Sequence, residues 1–285
     1  MGKKKIQFPA IALFFVLLLL IIALITQTFS FSPSKSMPPA KIKPTSMPNI
    51  PIPAYAPQIF GKQVRVPILL YHYIGNNPDP KDSARDNISM GPDKFNEQMK
   101  YLSDNGYNTI SLDTLYPTLS GTSTFPSKPV ILTFDDGYMD FYYNAYPILK
   151  QYNLRATVFI PTALMNQGYY LTWDQIREMS VSGLITFGAH SVHHSNLPTL
   201  TADALKLELN GSKKVLQEIL GIPVNFMAYP YGTVNSFVIK EVKTAGYLGA
   251  VGTWQSKIQS EGTMFNMPRL KVGGGMDLNQ FIDLL

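Results

Sequence analysis

The sequence predicts an α/β fold for residues 63–285: a mostly parallel sheet with helices outside, closed into an irregular seven- or eight-stranded TIM-like (β/α) barrel. Three observations lead there. Eight short apolar runs alternate with segments whose apolar residues fall three and four apart, as strands and amphipathic helices do. So many units within about 220 residues suit a barrel better than an open sheet. The polar clusters also sit where apolar runs end, and such barrels keep their chemistry on the loops after the strands.

The expected strands cover residues 66–73, 109–112, 130–134, 157–160, 185–189, 226–229, 248–251 and 270–272. Phe95, Met99 and Leu102 mark the stripe of one intervening helix. A capping box from Thr172 to Gln175 opens another, ahead of Ile176 and Met179. Leu205, Leu209, Leu216 and Leu220 mark a third, with an interruption expected at Asn210-Gly211. No internal repeat is evident.

A different composition precedes the barrel. Met1-Gly2-Lys3-Lys4-Lys5 is followed by 18 residues, Phe8 to Ile25, that are almost wholly apolar and at the lower limit for spanning a bilayer. Residues 1–29 are therefore expected to be a cytoplasmic lysine cluster and a transmembrane anchor, with the rest of the chain outside the cell membrane. A cleaved signal peptide, giving a secreted protein, is the rival reading. Residues 30–62 carry eight prolines and read as an extended extracellular spacer. The net charge of +5 belongs to these segments, since residues 66–285 carry net −3. A nucleic-acid partner, which needs a basic domain surface, is excluded on that ground. The chain has no cysteine, so disulfides and Cys-ligated metals are excluded as well.

The strongest chemical signal is Asp135-Asp136-Gly137 at the end of the run Ile131 to Phe134. Taken alone it also reads as a turn. The only four histidines, His72, His190, His193 and His194, fall at expected strand ends as well. Imidazole and carboxylate are usual ligands for zinc and similar ions, and two histidines with one acid leave positions open for water and substrate. With one acid on a metal, its neighbour is available as a general base. Spacing does not separate His193 from His194.

Thr133-Phe134-Asp135-Asp136-Gly137, His190-Ser191-Val192-His193-His194 and Tyr229-Pro230-Tyr231-Gly232 together resemble motifs of the polysaccharide deacetylases, carbohydrate esterase family four, over most of residues 66–272. The resemblance implies Asp135 as catalytic base and Asp136, His190 and His194 as metal ligands. The backbone N–H of Tyr231 is implied as oxyanion donor, with Tyr229 beside it at the substrate. Zinc is the expected ion, with Co2+, Ni2+, Mn2+ and Fe2+ as alternatives. Two departures stand out. Ala228 replaces the family's arginine ahead of the third motif, and Arg269 is the expected substitute in orienting the base. No histidine follows His194 to serve as the acid, but residues 66–74 resemble the opening strand of a circularly permuted branch acting on poly-N-acetylglucosamine, which assigns that role to His72. Packing in the core is the plainer reading of His72. Trp254 is the candidate wall of an acetyl pocket, with core burial as its alternative. Tyr138, Tyr142, Tyr169, Tyr170 and Trp173 are candidate sugar platforms, each equally readable as packing.

The expected activity is metal-dependent removal of N-acetyl groups from N-acetylglucosamine units of a cell-surface or extracellular polysaccharide. A catalytically silent glycan binder, a hydrolase of another amide or ester, and a glycoside hydrolase are the competing classes. The last leaves the histidines idle.

Overall fold

The computed structural model describes residues 59–79 and 81–285. The expected anchor and all but the last four residues of the expected spacer lie outside the described residues. Among the described residues no helix is long and apolar enough to cross a membrane.

The strands are β1 (Gln63–Arg65), β2 (Ile68–Tyr71), β3 (Asn108–Thr109), β4 (Pro129–Phe134), β5 (Ala156–Ile160), β6 (Ile185–Ala189), β7 (Phe226–Ala228), β8 (Gly249–Val251), β9 (Ile258–Ser260) and β10 (Leu270–Lys271). Seven pair in parallel in the order β10-β2-β4-β5-β6-β7-β8, while β3 adds only to β4. Beyond β8, Gly252 N–H donates to Met267 O and Met267 N–H to Ala250 O, both at 2.9 Å, so backbone bonds lead from β8 toward β10. This arrangement fits a (β/α) barrel. β1 and β9 form a separate antiparallel pair.

Side-chain alternation sorts each strand between two cores. Ile68, Ile131, Phe159, Phe226, Ala228, Val251 and Met267 share an inner cluster. Leu69, Tyr71, Val130, Leu132, Phe134, Val158 and Ile160 pack against the helices in the outer one. Strands buried on both faces read as continuous apolar runs, which is why they were visible in the sequence.

The helical stripes fall as expected for Pro92–Asp104, which buries Phe95, Met99 and Leu102, and for Trp173–Ser180, whose capping box forms in both directions. Two expectations need correction. Residues 109–112 are not one strand: β3 ends at Thr109, and Ser111 caps a helix, Leu112–Leu119, by accepting from Thr114 N–H. Helix Ala202–Leu220 also runs unbroken through Asn210-Gly211. The buried stripe of Leu205, Leu209 and Leu216 outweighs the roughly 1 kcal/mol cost of an interior glycine. Gly211 has a packing reason too, since a Cβ there would stand 3.0 Å from Val192 Cγ2.

Candidate active site and metal centre

Ile131 lies in the inner cluster, so Thr133 and Asp135, two and four residues on, continue its face. Arg269 meets them there. Its Nη1 and Nη2 donate to Asp135 Oδ1 and Oδ2, both at 2.7 Å. Nη1 also donates to Thr133 Oγ1 at 3.1 Å, and Nε to Gly252 O at 2.8 Å. Thr133 passes its own hydroxyl hydrogen to Leu69 O. Arg269 is 0% exposed and Asp135 4%. Burial pushes the Asp135 carboxyl up, but the Arg269 charge and its hydrogen bonds outweigh this and hold it below its ordinary value.

The second acid belongs to a different cluster. Asp136 Oδ1 lies 3.3 Å from His190 Nε2 and 3.2 Å from His194 Nε2. The three residues can present ligand atoms all within 4.8 Å of one another. His190 Nδ1 lies 2.8 Å from Ala228 O, which places its hydrogen on Nδ1 and turns the Nε2 lone pair toward Asp136. Two imidazole nitrogens converging on one carboxylate oxygen call for positive charge between them, a proton or a cation. Burial again pushes Asp136 up, but with protons on the facing nitrogens the hydrogen bonds of His190 and His194 hold it well below the ordinary carboxylate range. The donor set therefore fits a divalent ion with protein ligands on one side.

Holding this geometry strains the backbone. Asp136, Ser191, His194 and Tyr231 have φ of 72°, 63°, 55° and 60°, in the left-handed region that costs most residues energy. Gly232 (φ 68°) is confined further, because a Cβ there would lie 2.0 Å from Thr253 Oγ1.

The loop carrying the ligands is clamped by Glu208, which sequence reading missed. Its Oε2 accepts from Val192 N–H at 2.8 Å and His193 N–H at 2.9 Å, and Oε1 lies 2.7 Å from His193 Nδ1. His193 thus faces away from the metal cluster, its side chain 67% exposed. The available signal was an acid on the leucine-rich face of its helix, beside Leu205 and Leu209. Glu208→Ala is expected to weaken metal affinity about 10–100-fold, as loss of an orienting partner typically does. A zinc titration reads this, and unchanged affinity would show that the loop holds itself.

His72, at the end of β2, has Nδ1 buried without a hydrogen-bond partner. Burial lowers its pKa, while the charges of Asp135 and Asp136 oppose that, so the electrostatics place it in the same site. The exposed Tyr231 packs edge-on to His194 with ring centroids 4.6 Å apart. The other predicted residues stand differently. The Tyr229 ring is 0% exposed and its hydroxyl donates to Phe265 O, so it supports the strand end from within the core. Trp254 is half-buried, with Nε1 donating to Asn266 O and its carbonyl accepting from Arg269 N–H. Tyr142 pairs with Glu178, and Trp173 begins a helix. Tyr138, Tyr169 and Tyr170 line one cavity together with Asp140.

Asp140 offers a pH test. Burial pushes its carboxyl to about 6, above the roughly 3.9 of an unfolded Asp. The folded state then holds the proton more tightly, so its contribution to stability is present at low pH and lost as pH rises from about 4 to about 6. The stability of Asp140→Asn relative to the wild type should therefore climb by about 3 kcal/mol across that window in urea unfolding. A flat difference would refute it.

The polysaccharide deacetylase family model matches residues 122–250. The chain is 31% identical over 220 residues to the Bacillus subtilis "Putative polysaccharide deacetylase YxkH", covering 77% of this chain and 76% of that protein. It is 28% identical over 200 residues to a poly-beta-1,6-N-acetyl-D-glucosamine N-deacetylase of Staphylococcus aureus, covering 65% and 68%. The solved Streptococcus pyogenes deacetylase PplD, in complex with acetate, superposes with a TM-score of 0.72 at 31% identity, over 78% of this chain and 99% of that one. With the acid pair, the histidine loop and the barrel that positions them in place, the chain belongs to the polysaccharide deacetylase family.

Proposed function

We propose that this protein is a metal-dependent hydrolase that removes N-acetyl groups from N-acetylglucosamine units of a polysaccharide outside the cell. The observation that carries the reading is the division of labour between adjacent acids: Asp135 is locked to Arg269, while Asp136 converges with His190 and His194. Relatives named as poly-N-acetylglucosamine deacetylases support the substrate class. The basic cluster and apolar run ahead of the domain support an external, membrane-anchored location.

A divalent ion held by Asp136, His190 and His194, zinc first among the candidates, would polarise the acetamide carbonyl and make an attacking water more acidic. Asp135 takes the proton of that water. Arg269 keeps the carboxylate ionised and fixes its plane, so no reorganisation is needed at the moment of transfer. The Tyr231 N–H serves the oxyanion of the tetrahedral intermediate. His72 delivers a proton to the departing nitrogen, and burial makes its imidazolium form a readier donor. Acetate leaves, and an amine remains on the polymer.

The test is acetate release from N-acetylglucosamine oligomers by residues 63–285, with and without chelator and added zinc, beside Asp135→Asn. Release that requires metal and disappears in the variant is expected. A folded, metal-loaded protein that releases nothing would favour a glycan-binding role instead.

A further inference from the structure

A cavity of about 690 Å3 opens beside the site, lined by Tyr73, Arg85, Tyr138, Asp140, Tyr143 and Tyr169 among others. The Asp136 charge acts on both Tyr73 and Tyr138, two of its lining residues, so the cavity borders the proposed reacting centre. Its volume falls in the range of small-molecule sites, roughly 300–1,000 Å3. Tyr73 stacks on Tyr138 with centroids 3.6 Å apart, and Tyr138 on Tyr170 at 5.4 Å.

Arg85 is the only cation among the described residues of this lining. Its guanidinium carbon lies 3.0 Å from the centroid of the Tyr73 ring. Nε donates to Ser89 Oγ at 3.2 Å, and the Ser89 hydroxyl spends its own hydrogen on Arg85 O at 2.8 Å. Ring and hydroxyl together hold the guanidinium plane. Its two terminal nitrogens nevertheless find no acceptor among the described residues, and no described carboxylate forms an ion pair with it. Asp140 shares the cavity but has one oxygen buried without a partner. A half-buried guanidinium that is oriented yet unpaired is suited to bidentate recognition of a planar anion.

We propose that this cavity is a subsite for the sugar next to the one losing its acetyl group, and that Arg85 recognises a carboxylate carried by that neighbour. The faces of Tyr73 and Tyr138 are taken up by Arg85, by each other and by Tyr170, so the exposed rings of Tyr143 and Tyr169 offer the aromatic surface to the sugar, and the guanidinium fork takes the acid. The assignment rests on the deacetylase reading for its register, not for the anion contact itself. The carboxylate could belong to an acidic ether on the ring or to a peptide attached to it.

The experiment compares three glycans of equal length: a neutral N-acetylglucosamine oligomer, one alternating with a sugar bearing an acidic ether, and the same chain with short peptides on that acid. Wild type and Arg85→Gln are measured by acetate release, and in parallel by calorimetric binding, with Arg85→Lys as a variant that keeps charge without the fork. The wild type is expected to show a KM at least tenfold lower for one acidic glycan than for the neutral one. That ratio should fall to about one in Arg85→Gln and to an intermediate value in Arg85→Lys. Whichever acidic glycan shows the preference identifies the source of the carboxylate. Deacetylation with equal KM for all three glycans overturns the subsite and leaves the proposed activity standing. Binding that prefers an acidic glycan and depends on Arg85, without acetate release, overturns the activity and leaves the subsite. A preference that survives in Arg85→Gln also refutes the role of Arg85.

Discussion

Arg269→Met is expected to cost about 3–5 kcal/mol of stability, the range found when one partner of a buried ion pair is removed, and to slow acetate release about 10²–10⁴-fold, the usual worth of a positioned base. Both effects have one source. Asp135 is 4% exposed, and among the described residues the Arg269 fork is its only charged hydrogen-bond partner. Without the fork the carboxylate either stays charged in an apolar interior or takes up a proton, and a protonated Asp135 cannot act as a base. Arg269→Lys is the gentler probe, because it keeps the charge and loses the bidentate geometry. It is expected to fold, to bind one metal per chain and to turn over slowly. Urea unfolding, metal content and initial rates separate these effects. Full turnover in Arg269→Lys would mean that the orienting role belongs elsewhere.

The second large effect concerns the metal. Asp136→Ala removes the oxygen on which both histidines converge, and is expected to lower bound zinc from one ion per chain to less than a tenth. A ligand that binds only the folded state stabilises by about 2.7 kcal/mol when present at 100 times its Kd. For a domain of this size that is a rise of very roughly 5–10 °C in Tm. Zinc should therefore raise the Tm of the wild type by this order and leave Asp136→Ala unmoved, and a chelator should reverse the rise. Equal shifts in both proteins would mean that the ion binds at another site. The readout needs no substrate, so it tests the metal centre apart from the chemistry.

Most of the barrel could be read directly from the sequence because its strands are buried on both faces. Val130 to Phe134 and Ala156 to Ile160 carry apolar runs, each interrupted by a single threonine (Thr133 and Thr157), that no helix period accounts for. Legibility failed where tertiary packing overrode local propensity. Asn210-Gly211 reads as a break, yet the helix continues because its leucines are buried and Gly211 lets Val192 approach. Residues 109–112 read as a strand, yet Ser111 finds the N–H of Thr114 and starts a helix instead. Glu208 escaped notice because a lone acid on a helix resembles a solvated residue until the loop it clamps is folded against it.

By itself the sequence determined the strand–helix alternation, the acid pair and the histidine group, all of them local patterns set by side-chain chemistry and spacing. Only the tertiary structure decided that Asp135 faces Arg269, 134 residues away, while Asp136 faces His190 and His194. It also turned His193 outward onto Glu208, and set the unpaired Arg85 against Tyr73. The physical reason is that neighbouring side chains leave an extended or turning backbone in different directions. Which partner each one meets depends on elements that come together only when the barrel forms, and periodicity along the chain carries no record of that meeting.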